Sequence, residues 1–317
     1  MTIDLTTVLV GDSYGLPNEG LPPKLVSLSR RIPVPWSPTS DDSEHTLLVL
    51  DALNRSRNAR EFSRRLAWNL RFWLLACPPA VGLATLRSCV KLWFGAKRGV
   101  FSAGNGPCMR VAALVARAPH EHLSQYIVVS TELTHTDPKA NWGCMALAFA
   151  LQHPDLACEP ARLLGELRAI SGDIAWLRWL SLAEEGIASG WHPSVFTEKL
   201  GSRSGVSGYV LHSIPVVLYT WLRAEGKAAA LREIVLLGGD TDTTAALLAP
   251  LLSLTDPEGL ARDYPVPIDW PVNANAVRSL LSGKKLSLWF YAGLLVRNLS
   301  LMPVYLLYGS VRRFIRH

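Results

Sequence analysis

The sequence predicts an all-α chain, and three observations carry that expectation. Leu and Ala dominate the apolar residues while runs of β-branched residues are short, which favours helix over strand. Apolar residues recur at three and four, as in Leu163, Leu164, Leu167 and Ile170, the spacing of one buried helix face. Glycines, prolines and short polar clusters separate these stretches where helices would start and stop. With 317 residues, 49% of them hydrophobic, the chain can build a sizeable core, and length alone allows one large domain or two small ones.

Met1 to Val10 has no basic leader and no long apolar core, so no signal peptide is expected. This short apolar segment runs into Gly11-Asp12-Ser13-Tyr14-Gly15, with Glu19 seven residues after Asp12. From the residues alone that stretch is a glycine-punctuated loop with solvated acids. Pro22, Pro23, Pro33, Pro35 and Pro38 make residues 21–38 an extended, irregular approach. It leads to the acidic turn Thr39-Ser40-Asp41-Asp42-Ser43, after which an apolar helix covers 44–53. A helix rich in Arg and Trp is expected over 61–76, stopped by Pro78 and Pro79, and another over 84–94. Trp68 and Trp73 are expected to pack, not to form a stacking platform for bases.

Gly104-Asn105-Gly106 precedes a helix expected from about Met109. Its backbone N–H groups can cradle a phosphate, with Lys97 and Arg98 nearby; Asn-Gly is equally a common turn pair. Neither a P-loop nor a dinucleotide-binding glycine fingerprint is present. In the polar knot Ser130 to Pro138, His135 is set among hydroxyls, either as a structural residue or as a functional one. Further helices are expected over 139–152, 159–170, 174–188, 209–224 and 227–237, with Pro215 kinking the fourth or sitting near its first turn.

The last of these leads into Leu237-Gly238-Gly239-Asp240-Thr241-Asp242-Thr243-Thr244-Ala245, then an Ala/Leu-rich helix. Asp and Thr are ordinary N-cap residues. Two acids and a hydroxyl on one tight turn also gather hard oxygens, which hold Mg²⁺, Mn²⁺ or Ca²⁺. If this turn meets the Ser40-Asp41-Asp42 turn in space, four carboxylates share a small volume and their repulsion calls for cations. Beyond Pro250 a Pro/Asp-rich stretch, 256–271, leads to an apolar tail, 286–316, with a basic end. Arg297, Asn298 and Pro303 interrupt the tail, so a packed helix pair is expected in place of a membrane span. Arg312, Arg313 and Arg316 leave contact with a membrane surface as the lesser alternative.

The net charge is +6 and the pI about 9.2, with basic residues dispersed apart from the C-terminus. That balance suits anionic ligands and lacks a nucleic-acid footprint. Five cysteines with no CxxC pair suit neither a disulfide framework nor a zinc site, so a reducing, cytoplasmic setting is expected.

Taken together, Gly11-Asp12…Gly15, Ser40-Asp41-Asp42-Ser43, Gly104-Asn105-Gly106…Met109-Arg110, Thr134-His135…Pro138 and Gly238-Gly239-Asp240-Thr241-Asp242-Thr243 resemble the ADP-ribosylglycohydrolase family. That family includes the dinitrogenase-reductase-activating glycohydrolase and the ADP-ribosyl-acceptor hydrolases. Each motif is weak alone; five in order over residues 11–245 are specific. The resemblance implies one domain over 1–317, a compact orthogonal helical bundle with its core at about 8–250 and a helical extension over 251–317. It implies two Mg²⁺ or Mn²⁺ ions held by Ser40, Asp41, Asp42, Asp240, Asp242 and Thr243. It places ADP-ribose against Gly104, Asn105, Gly106 and His135, and gives Glu19 a functional role. Ser40 and Ser43 stand where the family has threonine and keep the ligand oxygen; Pro107 and Cys108 replace small residues common there.

The implied reaction is hydrolysis of the bond between ADP-ribose and an acceptor side chain, with Glu19, Asp41 and Asp242 as catalytic groups. The partner is an ADP-ribosylated protein or an ADP-ribose-containing small molecule. An arginine linkage is expected, because a planar cationic leaving group favours carboxylates and aromatic faces, and Tyr14, Glu19 and Trp36 lie on the approach. A catalytically silent ADP-ribose-binding protein on the same fold is the alternative.

Overall fold

A computed structural model describes residues 3–29, 38–79, 81–224, 226–255 and 264–315. Among these residues the chain forms sixteen α-helices and no strand, with three isolated bridges between loops. In chain order they are α1 (Thr6–Gly15), α2 (Pro23–Ser29), α3 (Asp41–Asn54), α4 (Ala59–Leu75), α5 (Leu83–Trp93), α6 (Val111–Arg117), α7 (Leu123–Glu132) and α8 (Pro138–Gln152). There follow α9 (Pro160–Arg168), α10 (Ile174–Ala188), α11 (Pro193–Lys199), α12 (Val210–Leu222), α13 (Lys227–Leu236), α14 (Thr241–Thr255), α15 (Ala274–Leu281) and α16 (Leu288–Ile315).

The core is built around helices that are apolar on every side. In α14 each residue from Thr241 to Leu254 is buried, and α12 is buried almost throughout, as expected of helices surrounded by other helices. α14 packs on α1, α12 and α13, and α3 packs on α1, α4 and α6. The helices whose first turns carry the acidic motifs, α3 and α14, therefore start inside the molecule.

Residues 11–15 are not the loop that their glycines suggest; they form the second half of α1. Gly11 and Gly15 lie one turn apart and face α14. A Cβ on Gly11 would lie 2.2 Å from the Ala245 carbonyl oxygen, and one on Gly15 would lie 2.2 Å from that of Thr241. Only hydrogen fits there, and Thr241 Oγ1 donates to the Gly15 carbonyl at 2.8 Å. Glycine weakens an isolated helix; here the tertiary contact decides.

Two more expectations are corrected. Residues 23–29 are helical, with Pro23 in the first position, where its missing N–H is harmless; residues 30–37, including Pro33, Pro35 and Trp36, lie outside the described residues. The tail is one helix, α16, and not a pair: it runs through Pro303. Arg297 and Asn298 do not break it because both are satisfied in the core, Arg297 by carboxylates and Asn298 by the Ala76 carbonyl at 2.9 Å. Pro215 lies inside α12. Among the described residues no helix is long and apolar enough to cross a membrane.

Gly15→Ala should lower stability in urea unfolding by about 2–3 kcal/mol, because the added methyl meets backbone that cannot yield. Gly165→Ala, in α9 with nothing within 4 Å of its Cβ position, should raise stability by up to about 1 kcal/mol. Equal effects at the two sites would remove the close approach as the reason for Gly15.

Candidate functional site

Three segments distant in sequence bring carboxylates together. Asp12 of α1, Asp42 in the first turn of α3 and Asp242 in the first turn of α14 each offer an oxygen, all within 4.8 Å of one another and all buried. The helix starts explain how acids are tolerated here, since their free N–H groups and partial positive charge face the cluster. Ser40 caps α3, its Oγ accepting from the Asp42 N–H at 3.3 Å. Asp12 binds the same turn, accepting from the Ser40 N–H at 2.9 and 3.0 Å, the Ser43 N–H at 3.1 Å and Ser43 Oγ at 2.5 Å. Thr243 Oγ1 donates to Asp42 Oδ2 at 3.0 Å, joining the two acidic turns.

What remains unsatisfied is informative. Asp42 Oδ1 and Asp242 Oδ1 are buried without a hydrogen-bond partner, which is costly for an anionic oxygen. Burial first, and then neighbouring carboxylates, push both groups well above the usual carboxylate range. A hard divalent cation would relieve the missing partner and the repulsion together. The donors gathered here are carboxylate and hydroxyl oxygens, which fits Mg²⁺ or Mn²⁺.

Of the six residues expected as ligands, Asp42 and Asp242 belong with Asp12 to this cluster, and the other four lie around it. Asp240 and Asp41 stand half-buried at a cleft of about 500 Å³, lined also by Glu19, Asp242, Thr243, Gly104, Asn105, Gly106 and His135; Ser40 and Asp42 lie buried at the α3 start. Asn105 Nδ2 donates to Asp240 Oδ2 at 2.7 Å, tying the Gly-Asn-Gly loop to the second acidic turn. Gly238 and Gly239 hold φ of +69° and +83°, a conformation that side chains disfavour. That turn lets the Asp240 N–H reach the Val206 carbonyl at 2.7 Å and the Gly20 N–H reach the Gly239 carbonyl at 2.6 Å. The Asn105 N–H is fixed by the Gly208 carbonyl at 2.8 Å. Four loops of the cleft are thus stitched by backbone bonds.

His135 lies beside this loop, where a Cβ on Gly104 would come within 2.9 Å of its Nε2. Burial, helped by the Arg110 guanidinium, pulls its pKa down to about 3, so the ring is neutral. Arg110 is fully buried and donates to Thr134 Oγ1 at 2.6 Å, while Thr134 Oγ1 lies 3.0 Å from His135 Nδ1. Two expected residues stand apart. Tyr14 is not among the cleft-lining residues; its ring packs edge-on against Tyr264 with centroids 4.7 Å apart. Trp36 lies outside the described residues.

Two further groups came from outside the expected set. Asp12 stands in the first of the five motifs, outside the ligand set that the resemblance implies; its flanking glycines, at i−1 and i+3, are the mark of a close helix contact. Arg297 read as an interruption of the apolar tail. It is 5% exposed and pairs with Glu44 at 2.7 Å and Asp269 at 2.6 Å. It also donates to the carbonyl oxygen and hydroxyl of Thr39, and Asp269 accepts from the Thr39 N–H at 2.9 Å and Oγ1 at 2.8 Å. Burial pushes Glu44 up to about 7, with the Arg297 charge acting against that rise. The residue before Ser40 is therefore held by the C-terminal helix.

Comparison with known proteins agrees with this geometry. Residues 5–257 match the family model described as ADP-ribosylglycohydrolase. A curated relative from Archaeoglobus fulgidus, itself an uncharacterized protein, is 25% identical over 280 residues, covering 82% of this chain and 87% of its own. A solved structure described as an ADP-ribosylglycohydrolase-related protein complex is similar with a TM-score of 0.52 at 22% identity, covering 93% of this chain and 95% of that one, which shows a shared fold.

Asp242→Asn should abolish any rise in Tm caused by Mn²⁺ while leaving the metal-free Tm equal or higher, because it removes one of the repelling carboxylates. Differential scanning fluorimetry with and without Mn²⁺ makes the comparison. A Mn²⁺ shift that survives the substitution would take Asp242 out of the ligand set.

Proposed function

The chain belongs to the ADP-ribosylglycohydrolase family, and from that membership we propose that it hydrolyses the glycosidic bond between ADP-ribose and an acceptor side chain, with arginine on a protein as the acceptor. The observation that carries this reading is the meeting of both acidic turns with the Gly104-Asn105-Gly106 loop in one cleft, joined by the Asn105–Asp240 hydrogen bond. Acidic oxygens and backbone amides side by side suit a ligand that has both sugar hydroxyls and phosphates.

Ser40, Asp41, Asp42, Asp240, Asp242 and Thr243 would hold two Mg²⁺ or Mn²⁺ ions. Bound there, such ions supply positive charge and lower the pKa of water. The chain's own groups do the rest. The backbone of Gly104 to Gly106 would bind the diphosphate, and the neutral His135 ring would add a hydrogen bond without adding charge. Asp41 opens on the cleft, and burial, reinforced by Glu44, Asp12 and Glu19, raises its affinity for a proton. It is suited to accept one from the attacking water. Glu19, also lining the cleft, would face the departing guanidinium, a cation that a carboxylate stabilises. With Tyr14 packed on Tyr264, the preference for arginine rests on Glu19 and Asp41.

Matched arginine- and serine-linked ADP-ribosyl peptides test the reaction. EDTA should abolish release of ADP-ribose and Mn²⁺ or Mg²⁺ should restore it, with arginine the faster substrate and Glu19→Gln slowing it. Full turnover in chelator would overturn the metal assignment. Faster release from serine, unaffected by Glu19→Gln, would overturn the linkage and the role of that carboxylate. Binding of ADP-ribose without turnover of either peptide would leave the protein a silent binder.

Asn105→Ala should weaken ADP-ribose binding by about tenfold, the worth of one well-placed hydrogen bond, with His135→Ala similar in direction. Titration calorimetry with ADP-ribose and with Mn²⁺ separates these effects from metal loss. Unchanged ADP-ribose affinity in both variants would return the two residues to a structural role.

A further inference from the structure

The basic residues are not evenly dispersed along the sequence. Residues 62–120 contain nine Lys or Arg and no Asp or Glu. Arg110 is buried, and Arg64, Arg65, Arg87 and Lys97 are exposed and make no ion pair with a described carboxylate.

The same segment turns an apolar stripe outward. On α4, Trp68, Phe72 and Leu75 are exposed at helical spacing, although the opposite face, with Leu66, Leu70 and Trp73, already fills the core. On α5, Leu83, Leu86, Val90 and Trp93 repeat the pattern. The stripes form one surface: the Trp93 ring lies 6.4 Å from Trp68 and 6.5 Å from Phe72, and Phe72 lies 5.7 Å from Tyr291 of α16. Beside them Phe94 is 87% exposed and Trp289, in the first turn of α16, 83%. The exposed Lys284 and Lys285 come just before that helix.

An apolar surface of this extent calls for a partner, and the charge around it restricts the choice. A second copy of the chain, docked face to face, would oppose like charges. Rings as exposed as Phe94 and Trp289 stand clear of the protein, which suits entry into a soft phase more than a fit against a rigid surface. Aromatic rings at headgroup depth, flanked by Lys and Arg that reach phosphates, are the physical signature of an interfacial contact. We propose that the face made by α4, α5 and the first turn of α16 docks on an anionic lipid surface. Leu83, at the start of the α5 stripe, also lines the cleft, so docking would bring the cleft's edge to the lipid. The proposal does not depend on the reaction proposed above.

Flotation of the full-length protein tests it, with vesicles of phosphatidylcholine alone or with a third phosphatidylserine. The protein should float with the anionic vesicles and not with the neutral ones, and its Trp emission should shift to the blue. Replacing Arg64, Arg65, Arg87 and Lys97 together by Glu should lower partitioning at least about a hundredfold. Phe94→Ser with Trp289→Ser should lower it at least about tenfold, since even partial immersion of each ring contributes on the order of 1 kcal/mol, with Tm unchanged in both variants. Failure to float with anionic vesicles, equal flotation with neutral ones, or flotation untouched in both variants would overturn the proposal. A dimer in sedimentation equilibrium that Phe94→Ser dissolves would assign the face to a second copy instead.

Discussion

Two helix backbones in contact at Gly11 and Gly15 set the positions of the acids in the cleft. Because α1 lies against Thr241 and Ala245 with only hydrogen between them, Asp12, one residue after Gly11, arrives beside Asp242. The same Asp12 then takes up the N–H groups of Ser40 and Ser43 and so fixes where α3 begins and where Asp42 points. A methyl group at Gly15 would meet the Thr241 carbonyl oxygen at 2.2 Å and push α1 away from the helix that carries Asp242. The packing constraint and the chemistry are therefore one feature seen at two levels.

The fold handles buried charge in two ways within a short distance. Glu44 and Asp269 are answered by Arg297, a guanidinium that the chain supplies itself. Asp12, Asp42 and Asp242 have helix N-termini and hydroxyls but, among the described residues, no ion pair with Lys or Arg, and two of their oxygens are left without a hydrogen-bond partner. A buried ion pair with all its hydrogen bonds made is a structural element. A buried cluster of like charges, of which Asp242 lines the cleft, is compatible with a metal site. Aligned along one acidic turn, the first arrangement holds Thr39 still so that the second can keep its geometry at Ser40 to Asp42.

Much of this was legible in the sequence, and the failures share a cause. Local signals announced most helices and both acidic turns: the three-and-four spacing of Leu163, Leu164, Leu167 and Ile170, and the acids and hydroxyls clustered ahead of α3 and α14. No local signal shows that the two turns meet, and only the family resemblance implied it; the structure joins them through Thr243 and Asp42. What could not be read depends on contacts between distant segments. Gly11 and Gly15 argue for a loop unless α14 is known to lie against them. Arg297 looks like a break in an apolar tail unless Glu44 and Asp269, hundreds of residues apart from each other, are known to surround it. Tyr14 looked available for a ligand because nothing local reveals Tyr264.

The Arg297 clamp has a consequence for the order in which the protein can be made. The acidic turn is complete once residue 43 has been synthesised, yet the guanidinium that balances the charge behind it comes from residue 297. A nascent chain that collapsed around α1, α3 and α14 before that point would enclose Glu44 with no counter-charge, a state disfavoured by about 3–5 kcal/mol. The first acidic turn should therefore stay loose on the ribosome until α16 has emerged, and only then become rigid enough to hold an ion.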